Sequence, residues 1–318
     1  MQRTVLAETT LGDGRLLQLV SAGDQDAAAS CDVILAAFGN RPAVEPPPPA
    51  LRETPDSVRA ALADGFGVLT LVDGQPAGVV IVSIDGDVAG VHRVSVRPDY
   101  QRLGIASAMM TVVLESLALQ GVHRVELIAR AEFPAVVAWW QRHGFAEIAR
   151  RGTSLTLARQ LPVCLIAETA EQTQDVGRRL AGLLRAGDLV IASGDLGAGK
   201  TTLTQGLGAG LGVAGAVISP TFVLSRVHPS TVGGPALVHV DAYRLGSAAE
   251  LDDLDLDASA ADSVTLVEWG SGVAEGLNEE RLEIDIRRSL DPADETRWIF
   301  LTGVGPRWAG LREQLEAE

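Results

Sequence analysis

The chain has 318 residues, 47% of them apolar and 21% charged, which sets an expectation of two globular domains and excludes a disordered chain. Its formal charge of −15 is unevenly shared: residues 1–160 carry 14 Arg against 17 Asp and Glu, and residues 161–318 carry 11 Arg and one Lys against 24 acids. So acidic a second half is a poor unaided nucleic-acid binder, because affinity for phosphates comes mostly from Lys and Arg, and it suits a basic protein partner better.

In chain order the first half alternates strands and helices. A strand over 15–20 and a helix over 25–38 precede a proline-rich internal loop at 41–50. A helix over 55–64 leads to a strand at 66–72, a tight Asp73-Gly74 turn and a partner strand at 77–84. A further strand runs over 88–96. Ile105, Met109, Val112, Val113 and Leu117 then repeat with helical period. A buried strand at 125–129, a short helix at 135–142 and a strand at 153–158 close this half, and Pro162 marks the boundary. The second half opens on a strand at 163–167 and a helix from about 171 to 185. The apolar run 189–192 follows, then a glycine-rich stretch and strands at 237–240, 263–267, 281–286 and 298–301.

Cys31 and Cys164 fall one in each half without paired spacing, so neither a disulfide framework nor a zinc site is expected. The opening MQRTVLAETTLGDG lacks the apolar core of a leader, and no apolar run approaches the roughly 20 residues of a membrane span. The expectation is a cytoplasmic protein without membrane contact.

In the first half, Gln101-Arg102-Leu103-Gly104-Ile105-Ala106 joins a strand to an amphipathic helix. Small residues there let backbone amides face an anion at the helix start. With Trp139-Trp140-Gln141-Arg142-His143-Gly144-Phe145 further on, residues 15–159 resemble the GNAT family of acetyl-CoA-dependent N-acetyltransferases. The resemblance implies that amides of Gln101, Arg102, Gly104 and Ala106 hold the pyrophosphate of coenzyme A, that Val94 and Val96 pair through their backbones with its pantetheine arm, and that Gly144-Phe145 is the family's closing pair. Two positions depart from it. Phe133 stands where the family usually has Asn, and Trp140 where it often has a Tyr that protonates the departing thiolate. An indole offers only a weakly acidic N–H in place of the phenol. His92 and Glu126 lie on the strands that would flank the cofactor, and His92 could deprotonate an amine; a lone strand histidine is more often a surface or packing residue. The acceptor amine is not legible.

In the second half, Gly194-Asp195-Leu196-Gly197-Ala198-Gly199-Lys200-Thr201 is a complete G-x-x-x-x-G-K-[ST] phosphate loop between an apolar strand and a helix. Gly194 and Gly199 let the backbone turn its amides inward, Lys200 reaches the β- and γ-phosphates, and the Thr201 hydroxyl can ligate Mg²⁺. Of 26 basic residues 25 are Arg, and the one Lys of the chain fills this slot. A position that stays Lys in such a chain calls for a compact ammonium. The helix 201–211 carries Gly206, Gly208 and Gly210, each a cost of about 1 kcal/mol relative to Ala. Asp241 and Glu268 each follow an apolar strand at the sheet edge where ligands bind: Glu268 suits a metal-side carboxylate, Asp241 a water-positioning or metal-side one.

The motifs GDLGAGKTT (194–202), SPTF (219–222), DAYRL (241–245) and VEWG (267–270) together resemble the TsaE family, the ATPase subunit of the machinery that makes threonylcarbamoyladenosine in transfer RNA, over residues 163–304. The resemblance implies that Gly197, Ala198, Gly199, Lys200, Thr201 and Thr202 cradle ATP phosphates and that Thr201 and Glu268 hold Mg²⁺. It implies too that Asp241 supports hydrolysis, that Trp269 packs beside the nucleotide and that Ser219 and Thr221 belong to a nucleotide-sensing loop. Partners TsaB and TsaD are implied, with ATP hydrolysis resetting the complex and tRNA met only through it. The family's proline after the Glu-Trp pair is replaced by Gly270-Ser271-Gly272. The acidic stretch 250–257 is a candidate docking segment or, more simply, a solvated helix or loop.

The expected architecture is α/β in two domains: a GNAT-like mixed α/β sheet over 1–161, then a P-loop NTPase-like α/β sheet over 162–318. The competing functions are a P-loop kinase of a small metabolite, and a nucleotide-dependent assembly module with a degenerate GNAT domain.

Overall fold

The computed structural model describes residues 3–245, 247–254, 256, 260–289, 291 and 293–317. Contacts within the chain divide it into two units, Met1–Leu161 and Pro162–Glu318.

The first unit runs β1 (Val5–Thr10), β2 (Leu16–Ala22), α1 (Ala27–Gly39), α2 (Pro55–Asp64), β3 (Phe66–Val72), β4 (Gln75–Asp85), β5 (Val88–Val96), α3 (Ile105–Leu119), β6 (Arg124–Arg130), α4 (Pro134–Arg142), β7 (Ala146–Arg151) and β8 (Ser154–Gln160). Its strands form one sheet in the order β1-β2-β3-β4-β5-β6-β8-β7. Every pairing is antiparallel except β5 with β6. The β3–β4 turn has positive φ at both Asp73 (47°) and Gly74 (77°), the twist that suits a two-residue hairpin. Val79 and Ile81 of β4 pack under Val33 and Ile34 of α1 and Val58 and Leu62 of α2. Ile105, Met109, Val113 and Leu117 of α3 are buried, one helical face, with Val112 at its margin. The parallel pairing of β5 with β6 covers only Val88–Gly90 against 124–126, after which the two strands part.

The second unit runs β9 (Val163–Ala167), α5 (Ala170–Leu183), β10 (Leu189–Ser193), α6 (Lys200–Leu211), β11 (Ser225–His228), β12 (Ala236–Asp241), α7 (Ala248–Asp252), β13 (Ser263–Glu268), β14 (Arg281–Arg288), β15 (Arg297–Val304) and α8 (Leu311–Glu316). The sheet order is β11-β12-β13-β10-β14-β15-β9. The four central strands are parallel, and β10, β12 and β13 are buried almost throughout, as strands covered on both faces must be. Leu203, Leu207 and Leu211 anchor α6 in the core. Because the central strands are parallel, their carboxyl ends share one edge, which gathers the phosphate loop, Asp241 and Glu268. The acidic stretch 250–257 begins in α7, and its Asp255 and Asp257 lie outside the described residues.

Candidate functional site

The loop 194–199 leaves β10 and enters α6 with Gly199 as the helix N-cap at φ 110°. Gly194, at φ 136°, is held so close to β14 that a Cβ there would stand 2.3 Å from the Ile286 carbonyl oxygen. Side chains are excluded at both points, which leaves backbone amides lining the turn. Ala198 is buried beneath the loop, Gly197 turns at φ 76°, and Thr201 and Thr202 follow in the first turn of α6, half-buried.

Lys200 is 5% exposed. Its Nζ donates to the carbonyls of Gly194 (2.7 Å) and Asp195 (3.0 Å) and lies 3.7 Å from the centre of the Trp269 ring. Burial pulls its pKa down, against the opposing pull of Glu268, Asp241 and Asp195. Beside the loop is a cavity of about 540 Å³ bounded by Ser193, Asp195, Trp269, Ser271, Asp285 and Arg288.

Glu268 ends β13 and is 2% exposed. Thr201 Oγ1 donates to its Oε2 at 3.2 Å, and its Oε1 lies 2.9 Å from His239 Nε2. Asp241, its register partner on β12, is nearly as buried. Ser219 and Thr221 donate to Asp241 Oδ2 at 2.8 and 2.6 Å, and the Tyr243 amide donates to Oδ1 at 3.0 Å. Burial raises the Asp241 pKa, but the bonds from Thr221, Tyr243 and Ser219 outweigh it and hold the carboxyl below its ordinary range. The structure thus brings Lys200, Thr201, Glu268, Asp241 and Trp269 to one edge, and ties the 219–221 segment to it through Asp241. Sequence reasoning passed over His239, because a histidine inside a strand carries no local signal of its partner.

In the first unit, Gly104 caps α3 at φ 78°, and Arg102 before it also has positive φ (65°). Gln101 and Ala106 flank this turn. Beyond Gly90 the strand β5, with Val94 and Val96, has no pairing to β6 among the described residues. Trp140 is 5% exposed and packs edge-on to Trp139 (4.7 Å) and Phe145 (5.0 Å), a core position. Phe133 is the N-cap of α4 and makes no side-chain capping bond. His92 Nε2 lies 2.9 Å from Ser83 Oγ, and burial, then Arg93, lowers its pKa; Glu126 pairs with Arg124 at 2.9 Å. The structure places His92 and Glu126 on neighbouring strands with separate partners.

Fold and motif together define the class: a GNAT-type fold followed by a P-loop α/β domain of the TsaE kind. The model of the acetyltransferase (GNAT) family matches residues 36–145, and that of the threonylcarbamoyl adenosine biosynthesis protein TsaE matches residues 167–297. The TsaE protein of Streptomyces coelicolor is 64% identical over 138 residues, 43% of this chain and 93% of that protein. The TsaE protein of Mycobacterium leprae is 49% identical over 131 residues, 39% of this chain and 81% of its own length. Among solved structures, that of YdiB from Bacillus subtilis is 35% identical, covers 48% of this chain and 93% of its own, and superposes with a TM-score of 0.40. The chain belongs to the TsaE family through its second unit, with a GNAT-type unit preceding it. Among the described residues no helix is long and apolar enough to cross a membrane.

Proposed function

We propose that the second unit binds and hydrolyses ATP with Mg²⁺ as a subunit of the machinery for tRNA threonylcarbamoyladenosine biosynthesis, the process for which its relatives are named. The observation that carries this reading is the junction of a glycine-built phosphate loop, a buried Lys200 and the Thr201–Glu268 pair. Loop amides would bind the phosphates, and the Lys200 ammonium would leave the Gly194 and Asp195 carbonyls for the β- and γ-oxygens. Thr201 Oγ1 spends its proton on Glu268 and keeps its lone pairs for a cation. Two hard oxygen donors, Thr201 at the head of α6 and Glu268 at the end of β13, therefore fit Mg²⁺. The ion would neutralise phosphate charge there. Glu268 would be its carboxylate contact and Asp241 the carboxylate supporting hydrolysis, with Trp269 beside the nucleotide. TsaB and TsaD are the proposed partners, tRNA being reached through them in the cytoplasm.

For the first unit we propose acetyl-CoA binding. Gly104 fits: a Cβ there would meet nothing of the protein within 4 Å, so its side of the turn is open to a ligand. The open side of β5 would take the pantetheine arm. With Trp140 in the core, no phenol stands at the position where the family often protonates the departing thiolate, so binding is the reading this site supports better than transfer.

Calorimetric titration of the full chain with ATP and Mg²⁺ tests the first reading, with phosphate release assayed with and without TsaB and TsaD. Saturable binding lost in Lys200→Ala is the expected result, and unchanged affinity in that variant would overturn the site. Phosphate passed to a metabolite would favour the kinase. Background turnover with both partners would favour the assembly module. Acetyl-CoA titration with Gly104→Glu as control tests the second unit in the same way.

A further inference from the structure

His239 has no side-chain surface in contact with solvent and lies on β12 two residues before Asp241. Its ring reaches Glu268 Oε1 through Nε2 at 2.9 Å, while its Nδ1 is buried without a hydrogen-bond partner. Those two facts fix which nitrogen bears the proton. An ionised carboxylate only accepts, so the ring must donate to it. A proton on the unpartnered Nδ1 would bury an N–H with no acceptor, the costlier alternative. The tautomer is therefore Nε2–H, donating to Glu268.

Other donors to the same oxygen are weaker. Thr204 Oγ1 stands 3.5 Å from Glu268 Oε1, but its single proton goes to the Lys200 carbonyl at 2.9 Å. Thr201 engages the opposite oxygen, Oε2. A glutamate's terminal torsion is broad and roughly two-fold, so one pinned oxygen settles where the other points. We propose that His239 is a positioning residue: by holding Oε1 it keeps Oε2 of Glu268 turned toward Thr201, and so sets the divalent-cation affinity of the nucleotide site. The inference rests on the nucleotide reading above. Partners of this indirect kind commonly change metal affinity by about 10- to 100-fold when removed.

The test uses the full chain, with Mn²⁺ as the spectroscopic stand-in for Mg²⁺ and ADP as the nucleotide. Free Mn²⁺ is followed by electron paramagnetic resonance in the presence of ADP, and ADP affinity is measured separately in chelator. His239→Leu keeps an apolar filling and removes the donor. His239→Gln restores an N–H near the position of Nε2. The expected result is a loss of about tenfold or more in Mn²⁺ affinity in His239→Leu, unchanged metal-free ADP affinity, and recovery to near wild type in His239→Gln. Wild-type Mn²⁺ affinity in His239→Leu would overturn the positioning role. Equal loss in both variants would overturn it too, by showing that ring packing is what matters. Should His239→Leu fail to fold, His239→Asn replaces it: its shorter amide falls away from Oε1, so the same loss is expected, and affinity equal to that of His239→Gln overturns the role. A wild-type chain that binds no ADP would overturn the nucleotide reading and this inference with it, whereas wild-type binding with no effect of the variants overturns only this inference.

Discussion

Asp241 has three hydrogen bonds on a carboxylate that is 3% exposed. Burial works against its charge, and the bonds from Thr221, Tyr243 and Ser219 more than offset it, so its pKa falls below the ordinary 3.8. A depressed carboxyl contributes stability that is fully present above its unfolded value and is lost as pH drops through the folded one. Asp241→Ala should therefore cost about 1–3 kcal/mol near neutral pH, the scale of a broken buried polar network. In urea titrations the gap between variant and wild type should narrow below about pH 4. A gap constant with pH would mean that the three bonds do not favour the ionised form. At this scale the sequence was readable only where partners are near in the chain. The phosphate loop shows itself because its chemistry is packed into eight consecutive residues. Ser219 with Asp241 and His239 with Glu268 are 22 and 29 residues apart; the first pair meets where the chain turns back into the antiparallel β11–β12 pair, the second because β12 and β13 pair in parallel.

The helices α5 and α6 show how an element's composition answers to its neighbour. Read alone, Gly206 and Gly210 weaken a helix. In the fold, a Cβ on Gly206 would stand 2.0 Å from the Gln174 carbonyl oxygen, and one on Gly177 would stand 2.3 Å from that of Leu203. The glycines let the two backbones approach where no side chain fits. Gly206→Ala would gain about 1 kcal/mol in helix propensity. The collision is with backbone that cannot swing aside, so a net loss of about 1–3 kcal/mol is expected, seen as a lower midpoint of unfolding for the second unit. A stabilised variant would refute the close approach. In the first unit the start of α2 is set by Thr54, whose side chain accepts from the Ser57 amide while Ser57 Oγ accepts from the Thr54 amide. Thr54→Ala should lower that unit's stability by about 0.5–2 kcal/mol in denaturant titrations, and an unchanged midpoint would show the cap to be idle. The strands that sequence reasoning did not find are β1, β7 and β11, and each is the edge of its sheet. Their residues are almost all exposed or half-exposed, so they lack the alternation that betrays a strand with one buried face. The interior strands were legible because burial wrote itself into their side chains.

At the scale of the whole chain, the two units meet in sequence at Leu161 and Pro162, between the last strand of one and the first of the next. In the sequence the strand–helix alternation restarts after Pro162, and most of the acidic excess lies in residues 161–318. What each half does in the presence of the other is not legible in the sequence, since no local pattern encodes coupling. Thermodynamic linkage supplies a direct reading. A ligand that binds only the folded form of one unit stabilises that unit by about 2.7 kcal/mol at a free concentration 100 times its dissociation constant. Differential scanning calorimetry of the full chain should show two transitions. ADP with Mg²⁺ should raise one of them, acetyl-CoA the other. Lys200→Ala should abolish the first shift alone and Gly104→Glu the second alone, which assigns each transition to its unit without cutting the chain. If ADP instead raises both transitions in the wild type and neither in Lys200→Ala, the two units are energetically coupled. The nucleotide state of the second unit would then be felt in the first, and the GNAT-type fold would be part of the ATPase's own energetics.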